Sequence, residues 1–110
     1  MVRQMRSVRV SLIAALLAGA GVSAAAAETP RELNARCVNS DRFHTFESQV
    51  MACTNLLQVP NRSPREQAQT YNNRANAYRT QREYGLAIAD YDEAIRLDPD
   101  YANAYNNRGI

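Results

Sequence analysis

Apolar positions recur with a helical period along most of the chain. Phe46, Val50, Cys53 and Leu57, with Met51 and Leu56 beside them, form the stripe of an amphipathic helix that Pro60 ends. Further on, the pattern predicts a helix from Pro64 to about Thr80, a turn at Gln81 to Glu83, and a second helix from Tyr84 to Leu97. Asp98-Pro99 stops that helix, because proline disfavours helical geometry in the residue before it. Small Ala75 and Ala87 let the two helices approach, while Tyr71, Tyr78, Leu86, Ile88, Tyr91 and Ile95 are expected to fill the space between and behind them. Two segments carry the same start signal, Thr29-Pro30-Arg31-Glu32 and Ser63-Pro64-Arg65-Glu66. In each, the hydroxyl accepts a backbone N–H bond, the Glu reaches back to the cap, and Pro at the first helical position loses no hydrogen bond. The first of these predicts a brief helix, Pro30 to about Arg36, followed by a loop over Cys37 to Thr45, where Asn39, Ser40 and Asp41 are turn formers.

A repeat lies over this pattern. Tyr71, Asn72, Asn73 and Arg74 return as Tyr105, Asn106, Asn107 and Arg108, each displaced by 34 positions, a spacing that marks helical repeat arrays. A further helix therefore begins near Tyr101, with Asp100 as its expected cap. Tyr71, Ala75, Tyr78, Ala87, Tyr91, Ala94 and Pro99 stand at fixed offsets, and Tyr105 with Gly109 opens the next unit. In these residues the chain resembles the tetratricopeptide repeat family. The resemblance covers Ala68 to Ile110 and extends weakly to Phe46–Val59. One departure is Arg74, repeated as Arg108, where the family usually has Leu. The resemblance implies an all-α fold, a short solenoid of helical hairpins, here truncated at the C-terminus in the middle of a motif. Aligned on the Ile88–Leu97 helix, Val50–Val59 places Cys53 opposite Tyr91 and Leu56 opposite Ala94, so it reads as the second helix of a degenerate repeat. One hairpin does not bury its apolar face alone, and roughly three stacked repeats are the norm.

The first segment changes the overall composition. Met1 to Ala27 carries Arg3, Arg6 and Arg9 before an apolar run, Val10 to Val22, and then Ser23 and four alanines, the layout of a Sec-type signal peptide cleaved after Ala27. The run is too short for a comfortable membrane span, which needs about 20 residues. The expected organisation is a signal peptide over 1–27, an N-terminal segment with a degenerate repeat helix over 28–63, and the repeat region over 64–110. The mature chain is then periplasmic or secreted, without stable membrane insertion. Of 13 basic residues, all arginine, three leave with the signal peptide, so 10 face 11 acids and the mature charge is near −1. No clustered basic surface remains to drive nucleic-acid binding.

Cys37 and Cys53 are the only cysteines, and in an exported chain an even count favours a disulfide. Two buried free thiols are the alternative, and Cys53 on an apolar face suits that as well. A metal site from Cys37, His44 and Cys53 would have three ligands and no zinc-type spacing, so no metal and no cofactor are expected. His44, the lone histidine, has no oriented partner in sequence and reads as a loop residue. Asp90, Asp92 and Glu93 read as an exposed helix face. No catalytic residue is indicated.

The family's concave groove implies a site on the first helix of the hairpin. Asn72, Asn76 and Arg79, at spacings of four and three, share one helix face, and Asn73 and Asn106 with Asn107 extend it. Asn offers both a donor and an acceptor, so such a row suits the main chain of a bound peptide; the plain alternative is polar surface. The absence of Lys argues against the clamp for a C-terminal carboxylate that some family members use. The expected function is a non-catalytic protein- or peptide-binding scaffold of the cell envelope. Alternatives are an exported repeat module of a longer chain with a catalytic domain beyond Ile110, and a fragment that self-associates to complete its solenoid.

Overall fold

The computed structural model describes residues 27–39 and 42–109. The signal peptide expected over 1–27 lies almost wholly outside them. The described residues form five α-helices: α1 (Pro30–Val38), α2 (Phe46–Leu56), α3 (Pro64–Thr80), α4 (Tyr84–Leu97) and α5 (Ala102–Arg108). Consecutive helices pack on one another, and in addition α1 touches α3 and α3 touches α5. The odd-numbered helices are therefore neighbours along one side of a stack of hairpins.

Both capping boxes are formed. Thr29 Oγ1 accepts from the Glu32 N–H (3.2 Å) and Ser63 Oγ from the Glu66 N–H (3.1 Å), while each glutamate carboxylate accepts in return from the cap N–H. Bonds from the Ser63 backbone and then its side chain hold the Glu66 carboxyl below its ordinary value of 4.5. A carboxylate with a lowered folded pKa stabilises above its unfolded value, and that contribution is lost as pH falls through the folded pKa. An NMR titration should accordingly place the Glu66 midpoint below 4.5 and find it raised in Ser63→Ala; a midpoint at or above 4.5 in the unmodified protein would refute the box as an electrostatic element.

The predicted limits of α3 and α4 agree with the structure, but three expectations at helix ends need correction. Helix α1 continues to Val38, where Asn39 caps it in a left-handed conformation (φ 50°). Helix α2 stops at Leu56, before Pro60. Tyr101, not Asp100, occupies the cap position of α5, and it makes no side-chain cap bond.

The core is divided among three clusters. Leu33, Cys37, Ala52, Cys53 and Leu56 hold α1 against α2. Ala75, Ala87 and Tyr91, with Tyr78 alongside, hold α3 against α4. Ala68, Ala94, Tyr101 and Ala104 join these two to α5, with Tyr71, Ile95 and Leu97 at the margin. Tyr91 is fully buried between alanines, which explains why small residues face it. Leu86 and Ile88, expected to fill the core, are 51% and 39% exposed instead. Two positions apart, they fall on opposite flanks of the α4 face that meets α3 through Ala87.

Polar side chains join one hairpin to the next. Arg62 donates to the Leu56 carbonyl (3.4 Å) at the end of α2 and to the Glu66 carbonyl and Thr70 Oγ1 (3.1 and 2.9 Å) on α3. Burial pulls its pKa down, opposed by the charge of Glu66. Arg74 sits at the position where the family favours Leu, and it forms a two-pronged pair with Asp90 of α4, at 2.7 and 2.8 Å. Its third nitrogen donates to Thr54 Oγ1 of α2 (3.1 Å), so one guanidinium ties three helices together. The bonds to Asp90 raise the Arg74 pKa, and Tyr71 and Tyr78 flank the cation at 5.5 and 5.9 Å. Asp90 is therefore buried, only 6% exposed, and not part of a solvated face. Arg108 repeats half of this arrangement: it reaches back to Asp92 of α4 (3.0 Å) and lies over Tyr105.

Candidate functional site

The five residues expected in the groove do not share one environment. Asn72 is buried at 4% exposure, and its Oδ1 accepts from Asn107 Nδ2 at 3.1 Å, a bond between α3 and α5. Its carboxamide helps to join two helices and has little surface to offer a ligand. Asn73 is half-buried and Asn106 exposed. Asn76 is partly exposed, and its Oδ1 accepts the hydroxyl proton of Tyr91. With the carbonyl oxygen occupied, Asn76 presents its NH2 group outward as a donor. Burial pushes the Tyr91 phenol up, partly offset by the nearby charge of Arg79. Arg79 is half-buried and, among the described residues, its guanidinium makes no hydrogen bond or ion pair.

Beyond Asn76 the surface of α3 falls into a cleft of about 450 Å³. One wall is the α1–α2 connection and the start of α2, with Arg42, His44, Phe46 and Gln49. The other is the last turns of α3, with Asn76, Ala77, Thr80 and Gln81. The Phe46 ring meets Tyr78 edge-on at 6.1 Å, which fixes the end of α2 against α3. Asn39 organises the connection: its Nδ2 donates to the His44 carbonyl and its Oδ1 accepts from the His44 N–H, both at 3.1 Å. Gln49 Nε2 donates to the Cys37 carbonyl at 2.9 Å.

Cys37 and Cys53 are joined by a disulfide, with Cα atoms 4.7 Å apart. Both residues are fully buried, so of the readings open in the sequence the bonded one is present. Their sulfurs are bonded to each other, which leaves no thiolates to join His44 in a metal site. His44 lies exposed in the connection.

Sequence reasoning missed the cleft, because its walls come from segments that only the packing of α2 on α3 brings together. It also missed the Arg74–Asp90 pair, although the paired change was visible: a cation in place of Leu on one helix, and an acid beside Tyr91 on the other.

Residues 68–101 match the family model of the tetratricopeptide repeat. No curated protein and no solved structure matches the chain. The matched segment runs from Ala68 on α3, through the whole of α4, to the buried Tyr101 that precedes α5. The α3–α4 hairpin is thus a tetratricopeptide repeat over residues 68–101, set among described residues whose helices make an all-α fold.

Proposed function

We propose that the protein is a scaffold without catalysis of its own, binding a peptide or protein segment on the side formed by the odd-numbered helices, in the cell envelope after export. Tetratricopeptide repeats generally mediate protein–protein interactions, which sets the class of partner. The observation that carries the reading is the pair of available donors at one end of α3. Asn76 has its oxygen taken by Tyr91, and the partly buried Arg79 makes no ion pair among the described residues. An amide held by Tyr91 beside an uncommitted guanidinium suits the carbonyl and carboxylate oxygens of a polypeptide. Asn73 and Asn106 extend the donor and acceptor surface, and Asn72 contributes through its bond to Asn107. Export is supported by the leader-like segment before Glu28 and by the cysteine pair, since disulfides persist in oxidising compartments.

The test uses protein recovered from an envelope fraction, its N-terminus expected at Glu28, in crosslinked capture of partners. Asn76→Ala with Arg79→Ala is expected to reduce recovery about tenfold or more, while far-UV circular dichroism stays unchanged; one lost charge-assisted contact alone accounts for about a factor of ten. Equal recovery by the folded double variant would count against this surface.

A further inference from the structure

The cleft beside Asn76 has a chemistry of its own. Its first-hairpin lining residues, Asn39, Arg42, His44, Phe46 and Gln49, lie between Cys37 and Cys53 in the chain, within the segment that the disulfide closes. The wall is held from within. Asn39 fastens both main-chain groups of His44, Gln49 fastens the Cys37 carbonyl, and Phe46 rests on Tyr78. The Arg42 guanidinium and the His44 imidazole, by contrast, make no hydrogen bond or ion pair among the described residues. None of the described lining residues is acidic. Across the cleft stand the outward NH2 of Asn76 and the side chain of Gln81, with Phe46 and Ala77 supplying apolar surface between the polar groups. A volume near 450 Å³ accommodates one or two side chains together with their main chain.

We propose that this cleft binds an acidic peptide segment: an Asp or Glu carboxylate meets Arg42, the adjoining main chain meets Asn76, and the Cys37–Cys53 disulfide keeps the Arg42 wall in place. Arg suits this role because its planar fork matches a carboxylate. The inference rests on the scaffold reading, as it gives that surface a ligand class, and it adds a dependence on redox state. When the disulfide is reduced, Asn39 and Gln49 still make their bonds, but the loop is no longer closed covalently and the wall spends less time formed.

Two fluorescein-labelled octapeptides test it by fluorescence anisotropy. They are alike except that one carries Glu and Asp where the other carries Gln and Asn. The oxidised protein is expected to bind the acidic peptide at least about tenfold more tightly than the neutral one, the scale of one charge-assisted contact. Arg42→Gln should remove that preference, whereas Arg31→Gln, in a separate cleft beside Asn34, Arg62 and Glu66, should leave it intact. Reduction should weaken acidic-peptide binding by a similar factor. Equal binding of the two peptides, no binding of either, or equal effects of Arg42→Gln and Arg31→Gln would each overturn the proposal. Arg42 lies in an exposed connection, so its variant is expected to stay folded even if the reduced protein does not. If Asn76→Ala with Arg79→Ala weakens both peptides while Arg42→Gln changes neither, the scaffold reading stands and the acidic site falls. If none of these variants weakens a peptide that binds, both fall.

Discussion

Asp90→Ala is expected to lower the unfolding free energy by about 2–3 kcal/mol, at or just below the lower end of the range for breaking a buried ion pair. The carboxylate is 9% exposed and the Arg74 side chain 18%, so removing the acid leaves a cation largely out of water between two tyrosines. Its partial exposure lets some water return, which keeps the loss from being larger. The comparison that isolates the pair is Arg74→Leu with Asp90→Ala. Leucine is the residue usual at this position of the repeat, and a buried pair replaced by apolar groups is often close to neutral. The double variant should therefore recover a large part of what Asp90→Ala loses, and a double-mutant cycle in urea would report the coupling. Asp92→Ala serves as the reference. Asp92 also meets an arginine, but that pair is about half exposed on both sides, and exposed pairs contribute little. If Asp90→Ala and Asp92→Ala destabilise equally, the buried pair has no special place in holding the hairpin.

Reduction of the Cys37–Cys53 bond should destabilise the first hairpin by about 3 kcal/mol, the loop-closure value for a closed loop of this order. The bond spans 16 residues. The small α1–α2 cluster gathers five buried residues, two of them the cysteines themselves. Without the cross-link, Leu33, Ala52 and Leu56 have to hold the two short helices together, and a core of that size is marginal. The effect should be regional, since stacked repeats interact mainly with their neighbours. Hydrogen exchange should then show lost protection in α1 and α2 after reduction, with the amides of α3 and α4 less affected. Uniform loss across all four helices would instead indicate that the first hairpin and the repeat unfold as one unit.

Helix positions were legible in the chain because they depend on nearby residues. Ser63-Pro64-Arg65-Glu66 starts α3 through bonds spanning three residues, and Pro99 constrains the residue just before it, so neither needs the rest of the fold. The repeat was legible for a related reason, as the same local solution recurs with Tyr71 and Tyr105 in phase. The candidate site was legible only in part. Spacing places Asn72, Asn76 and Arg79 on one face of α3, but it does not say what stands opposite that face. Asn107 of α5 meets Asn72 and takes it into the packing, whereas Tyr91 meets Asn76 and leaves its NH2 available.

By itself, then, the sequence determined the helices of the repeat, the Ser63 cap and the period of the repeat, since each follows from short-range hydrogen bonding and from the periodicity of small and aromatic residues. Tertiary structure alone decided which polar residues are buried and which apolar ones are not. Asp90 is inside because Arg74 reaches it from another helix, and Leu86 and Ile88 are outside because they flank the Ala87 position that faces α3. It also decided that the disulfide loop faces the end of α3. That juxtaposition depends on how α2 packs against α3 around Phe46 and Tyr78, a distance in space that the spacing of residues along the chain does not encode.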